Sequence, residues 1–170
     1  MDNPIQSQAS ANQPATSSQH DVASMKYAVI FPGQGSQSVG MLDAWAESAV
    51  VQQAIAQASQ SLGQDLAQLM AQGPAEALNL TTNTQPVMLA SAVAMYQAWI
   101  QAGGPAPAVM AGHSLGEYSA LTAAGALSLE QAVPLVRIRA DAMQAAVPVG
   151  VGTMAAVLGL DDDQVRDVCA

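Results

Sequence analysis

Short unbroken apolar runs alternate with longer segments in which apolar residues recur every three or four positions, and this rhythm predicts an α/β chain. Tyr27-Ala28-Val29-Ile30-Phe31 is one such run, stopped by Pro32-Gly33 as a buried strand would be. From Val39 to Leu69 the chain is rich in Ala and Gln. Val51, Ile55 and Ala58, then Leu62, Leu66 and Leu69, fall at helical spacing there, which predicts two helices parted near Gly63. Gly73-Pro74 ends the section. Thr84 is then expected to cap a long helix, with Pro86 in its first turn and Gly103-Gly104-Pro105 as its stop. Its stripe of Val87, Ala90, Ala94, Met95, Ala98 and Trp99 is small-sided and reads as core, Met95 and Trp99 included, rather than as a cofactor box.

A second apolar strand is expected at about Ala108 to Ala111, followed directly by Gly112-His113-Ser114-Leu115-Gly116 and an Ala/Leu-rich helix. Ser128-Leu129-Glu130-Gln131 has capping-box form and opens a helix to about Ala146, in which Pro134 predicts a kink or a late start. Pro148 to Gly152 is a linker-like turn, Thr153 to Leu158 reads as a strand, and Asp161-Asp162-Asp163 caps a last helix. The expected organisation is a disordered tail over 1–24, an α/β core with a parallel sheet over 25–148, and the start of a small subdomain over 149–170. A strand and one short helix cannot bury their apolar faces alone, so the chain is expected to end early and to fold poorly alone.

Composition narrows this picture. Hydrophobic residues make up 51% of the 170 and aromatic ones only 4%, so the core must be built from Ala, Val, Leu and Met. A net charge of -9 disfavours nucleic acid and anionic membranes as partners. Cys169 is alone, which excludes an intrachain disulfide and a cysteine metal cluster and fits a reducing, cytoplasmic setting. No metal and no resident cofactor are expected. No apolar run approaches the roughly 20 residues of a membrane span. Met1 to Ser24 has neither the basic nor the apolar region of a secretory signal, and Met25 is a second candidate start.

The chemistry centres on Ser114. A strand, then Gly-x-Ser-x-Gly, then a helix predicts a sharp turn that exposes the serine as a nucleophile; Gly112 and Gly116 are there because strand and helix pass too close for a Cβ. The N–H of Leu115 then points to where an oxyanion would form. Gly33-Gln34-Gly35-Ser36-Gln37 follows the first strand but lacks the Gly-Lys-Ser/Thr ending and third glycine of nucleotide loops. It is either a plain turn or a loop whose backbone N–H groups can approach a ligand at the same sheet edge. A serine needs a base, yet His20 lies in the tail, and His113, adjacent to Ser114, points to the other side and is expected to pack or hydrogen-bond beside the turn. Arg137 and Arg139, two apart on a helix, face roughly 200° apart, so that if one faces solvent the other faces the protein. The residues favour an internal salt bridge for the inner one over a substrate carboxylate.

Phe31-Pro32-Gly33-Gln34-Gly35-Ser36-Gln37, then Gly112-His113-Ser114-Leu115-Gly116-Glu117-Tyr118, then Arg139 with Met143-Gln144-Ala145-Ala146-Val147-Pro148, closely resemble the malonyl-CoA:acyl carrier protein transacylases of bacterial fatty acid synthesis. The likeness runs from about Met25 to Ala170 and covers the N-terminal half of that family's chain. It implies a hydrolase-like α/β core with a nucleophile elbow and a small ferredoxin-like subdomain. It also implies ping-pong transfer of malonyl from coenzyme A, through Ser114, to the phosphopantetheine thiol of acyl carrier protein, by an enzyme that is a monomer when complete. Gln34 and Leu115 would supply oxyanion-hole N–H groups, Gly112, His113 and Gly116 would support the elbow, and Arg139 would grip the malonyl carboxylate, displacing the salt-bridge reading. The family's base is a histidine in the second half, absent here, so this polypeptide is expected to be nearly inactive alone. Alternatives are the acyltransferase domain of a polyketide synthase, a serine hydrolase or esterase, and a truncated paralogue that binds carrier protein without turnover.

Overall fold

The structure is a computed structural model that describes residues 26–152 and 157–170. The tail expected to be disordered lies outside the described residues, as does most of the strand expected over Thr153 to Leu158; Val157 and Leu158 themselves are not in a strand.

Two strands form a parallel pair, β1 (Ala28–Phe31) and β2 (Val109–Gly112), in a register that sets Ala28 beside Val109 and Phe31 beside Gly112. Parallel strands need a crossover. Here it is helical: after a 3₁₀ turn at Asp43–Trp45 come α1 (Ala49–Leu62), α2 (Leu66–Gln72), α3 (Ala75–Asn79) and α4 (Thr81–Gln101). After β2 follow α5 (Gly116–Ala123), α6 (Leu129–Ala146) and α7 (Asp162–Cys169). The strands are not buried as expected. Ile30 and Val109 are 74% and 59% exposed, because the face they share has no covering layer among the described residues, while Phe31 packs inward with Ala92 and Ala120.

α1 begins at Ala49, not near Val39, because Ser48 accepts from the Val51 N–H and sets the helix start there. It ends at Gly63, whose φ of 62° is the left-handed cap expected of a parting glycine. Asp65 caps α2 in the same way through the Gln68 N–H, at 2.8 Å.

α4 is the centre of the helical layer, with α1, α5 and α6 packed on it and α5 also lying on the sheet. Every residue from Thr84 to Ala94 is buried, so the helix is enclosed all round rather than along one stripe. Ala90, Ala92 and Ala94 let its neighbours approach closely, and Val87, Leu89 and Val93 fill the space between. Two expectations fail here. The helix starts at Thr81, and Thr84 does not cap it: its hydroxyl donates to the carbonyls of Leu78 and Leu80, tying α4 to the end of α3. Pro86 therefore sits one turn further in than a first-turn proline.

Met95 is only partly buried, and Trp99 is 48% exposed rather than core. The indole lies over the chain leaving α4, so close to Gly104 that a Cβ there would overlap it, and its N–H donates to the Pro105 carbonyl at 3.4 Å.

α6 opens at Leu129 with the expected reciprocal capping box between Ser128 and Gln131 and runs unbroken through Pro134. The late start is thus overturned. Pro134 removes only the N–H directed at Glu130, in the first turn, whose carboxylate is held by the Gln57 amide at 2.9 Å. No helix among the described residues is long and apolar enough to cross a membrane.

Candidate active site

The carboxyl ends of β1 and β2 lie side by side, so the two loops that follow them meet. The His113 N–H donates to the Phe31 carbonyl at 3.1 Å, extending the pairing one step beyond the strands. Ser114 then adopts φ 55°, the only positive φ of a non-glycine residue among those described, and α5 starts two residues later. A left-handed serine reverses the chain within one residue, at a cost on the order of 1 kcal/mol. Both flanking glycines are sterically required. A Cβ on Gly112 would overlap the backbone of Gly116 and Glu117, and one on Gly116 would overlap the Phe31 carbonyl. Leu115, 1% exposed, drives its side chain into the core and pins the turn, leaving the Ser114 side chain exposed.

The loop after β1 packs against this turn. A Cβ on Gly33 would come within 2.9 Å of His113 Nδ1 and 3.1 Å of its carbonyl oxygen, so His113 is a spacer between the two loops. Gly35, at φ 129°, turns the loop back, and its N–H donates to Gln37 Oε1 at 2.8 Å, while Gln37 Nε2 donates to Asn79 Oδ1 at 2.9 Å. Gln37 thereby ties the loop to α3. The backbone N–H groups of Gln34 and Leu115 donate to no acceptor among the described residues.

Arg139, three turns along α6, completes the group. Its Nη2 donates to Ser114 Oγ at 2.9 Å and its Nη1 to Gln85 Oε1 at 2.6 Å. No carboxylate pairs with it: the single ion pair among the described residues is Arg166 with Asp163, exposed on α7. The internal salt bridge that the residues alone favoured is absent, as the resemblance implied for Arg139, and neither arginine is left to solvent. α6 packs against both α1 and α4, so opposite faces both meet protein. Arg137 donates to Gln64 Oε1 at 2.5 Å and to Asn83 Oδ1 at 3.3 Å. Both guanidinium groups thus rest on neutral amides and keep their charge unmatched.

Ser114, Arg139, Gln34, Leu115, Gly112, His113 and Gly116 are all brought to one sheet edge. Gln85 and Gln37 escaped sequence reasoning. Gln85 had a signal, a glutamine before the proline of an otherwise apolar helix; Gln37 lay in plain sight within the glycine loop but its partner, Asn79, is 42 residues away. A cleft of about 780 Å³ lies elsewhere, along the free edge of β2 between Pro107 and Gly112 and the outer face of α5. No cluster of three metal-ligating side chains occurs among the described residues.

A short parallel sheet that presents a left-handed serine at its carboxyl edge, beside an arginine with no anionic partner, defines an α/β protein with a serine-centred site. The sequence profile of the acyl transferase domain matches residues 28–169, and the chain belongs to that family. The malonyl CoA-acyl carrier protein transacylase of Escherichia coli (strain K12) is 54% identical over 145 residues, 85% of this chain and 47% of that protein. Among solved structures, the acyl-carrier-protein S-malonyltransferase of Burkholderia pseudomallei 1710b superimposes with a TM-score of 0.78 at 67% identity, over 85% of this chain and 47% of that one. A type II polyketide synthase acyl carrier protein in complex with its malonyl-transacylase provides another match, at a TM-score of 0.79 and 50% identity, again over 85% and 47%. The chain spans about half the length of the curated relatives it matches.

Proposed function

We propose that this chain carries the nucleophile and the carboxylate-binding arginine of a malonyl transferase that moves malonyl from coenzyme A to the phosphopantetheine thiol of an acyl carrier protein. The observation that carries the reading is the 2.9 Å contact between Arg139 Nη2 and Ser114 Oγ. A cationic fork beside a nucleophilic oxygen selects an acyl group with its own carboxylate close to the reacting carbonyl, which is the shape of malonyl. The names of the relatives, and the neighbour bound to a carrier protein, point to the same donor and acceptor.

In this reading the strand, Ser114 turn and α5 form a nucleophile elbow. Ser114 Oγ attacks the thioester carbonyl carbon, and the negative charge that develops on its oxygen meets the free N–H groups of Gln34 and Leu115. Collapse breaks the carbon–sulfur bond, and the coenzyme A thiol leaves with the proton that the serine gave up. Malonyl is now an ester of Ser114. The carrier thiol attacks that ester, and Ser114 recovers its proton. Ser114 Oγ accepts a hydrogen bond from Arg139 Nη2 and has none with the adjacent His113, so in this reading neither neighbour takes the serine's proton. Residues 149–170, with α7 amphipathic yet burying no residue, fit the beginning of a ferredoxin-like subdomain.

Exposure to malonyl-CoA and, separately, acetyl-CoA followed by intact mass tests the proposal. On long exposure a slowly formed malonyl adduct is expected on the wild type, whose serine lacks its base, and on no Ser114→Ala sample, and Arg139→Ala is expected to lose the malonyl adduct while keeping any acetyl adduct. Equal loss of both from Arg139→Ala would remove the carboxylate role and favour a serine hydrolase site.

A further inference from the structure

We infer that Gln85 is a positioning residue for the anion-binding arginine, and that its neutrality is what leaves Arg139 free to take a carboxylate; this rests on the malonyl reading above. Gln85 is completely buried on α4, and its amide is shared between two residues of α6. Oε1 accepts from Arg139 Nη1 at 2.6 Å, and Nε2 donates to Met143 Sδ at 3.3 Å. The orientation of the amide is forced: a guanidinium has only donors and a thioether sulfur only lone pairs, so the oxygen must face Arg139 and the nitrogen Met143. Arg139 and Met143 are four residues apart on α6, one above the other, and the buried amide spans them.

The consequence is directional. With Nη1 fixed on Gln85, the plane of the guanidinium is set and Nη2 is carried to Ser114. An arginine on an exposed helix surface would sample many rotamers, and each productive encounter would lose that freedom. A glutamate at this place would hold the same posture through a charged pair, but it would neutralise the cation and bar a substrate carboxylate. A glutamine holds the fork without cancelling its charge. Arg137 is held in the same manner by Gln64 and Asn83, which gives an internal reference on the same helix.

The test follows the arginine side-chain nitrogens by NMR in the 170-residue chain, with backbone amides as the control for folding and malonate as the probe. In the wild type the two Nη groups of Arg139 are expected to give separate signals, and malonate to shift them. In Gln85→Leu the Arg139 signals are expected to merge while those of Arg137 stay, with malonate affinity lower by about tenfold or more. Gln85→Glu, which preserves shape if the leucine variant does not fold, is expected to keep the signals separate yet also to lose malonate affinity about tenfold or more. Unmerged Arg139 signals in Gln85→Leu, or wild-type malonate affinity in Gln85→Glu, would overturn the inference. A wild type that ignores malonate would instead sink the malonyl reading, while the Nη signals still report whether Gln85 holds Arg139.

Discussion

Ser114 is held at φ 55° by its surroundings, not by its own preference. A glycine would adopt that conformation without strain, so Ser114→Gly is expected to be about 1 kcal/mol more stable than Ser114→Ala, read from urea midpoints at constant slope. The opposite order would mean that the turn relaxes when the side chain is lost. Gly116 is the stricter position, because its Cβ would enter the Phe31 and Pro32 carbonyls, both backbone and neither able to swing aside. Gly116→Ala is expected to lower stability by about 1–3 kcal/mol and to remove the malonyl adduct from Ser114, since strand and helix must separate to admit the methyl. Retention of both would show that the close approach is not required.

At the scale of elements, α4 and α6 carry the site. They meet through Gln85 and Arg139 at one place and Asn83 and Arg137 at another, while the apolar residues between them supply the cohesion. Leu89, with no exposed surface, lies in the enclosed stretch of α4, and Leu89→Ala is expected to cost about 2–5 kcal/mol by thermal or urea unfolding. At the start of α6 the cost is smaller. Ser128→Ala removes the hydroxyl that accepts from the Gln131 N–H at 3.2 Å and should destabilise by about 1 kcal/mol, fraying the first turn in hydrogen exchange without altering Arg139. A loss of malonyl selectivity in that variant would mean that α6 moves as one body and that its cap matters to the site.

For the molecule as a whole, charge sets the terms of any encounter. The chain carries a net charge of -9, and both coenzyme A and acyl carrier proteins are anionic. If the chain loads malonyl as proposed, long-range repulsion slows approach at low salt, so the loading rate should rise from about 0.01 M to about 0.15 M ionic strength as the screening length falls from roughly 30 Å to 8 Å. A rate that falls with salt would reveal a local basic surface that steers the donor despite the overall charge. The open face of the sheet, with Ile30 and Val109 largely exposed, is the other whole-molecule feature: it is apolar strand with no covering layer among the described residues, a face that strands of this composition usually bury.

How much of this was legible in the sequence depended on how local the cause was. The two strands, the Gly63 cap, the Ser128 capping box and the serine turn could all be read, because each is dictated by residues within a few positions: a glycine that must be left-handed, a hydroxyl that reaches the third N–H, a Cβ that would collide. The resemblance carried by the Gln34, Ser114 and Arg139 motifs indicated which residues share a site. What only the tertiary structure decided were the pairings across helices. Nothing near Thr84 says that its hydroxyl goes to α3, nothing near Trp99 says that it folds over Pro105, and the choice of amides over carboxylates for Arg137 and Arg139 depended on which face of α4 lies against α6. Periodicity tells which side of a helix is apolar. It does not tell which polar group from a distant segment will stand opposite, because that is set by the packing of all the helices at once.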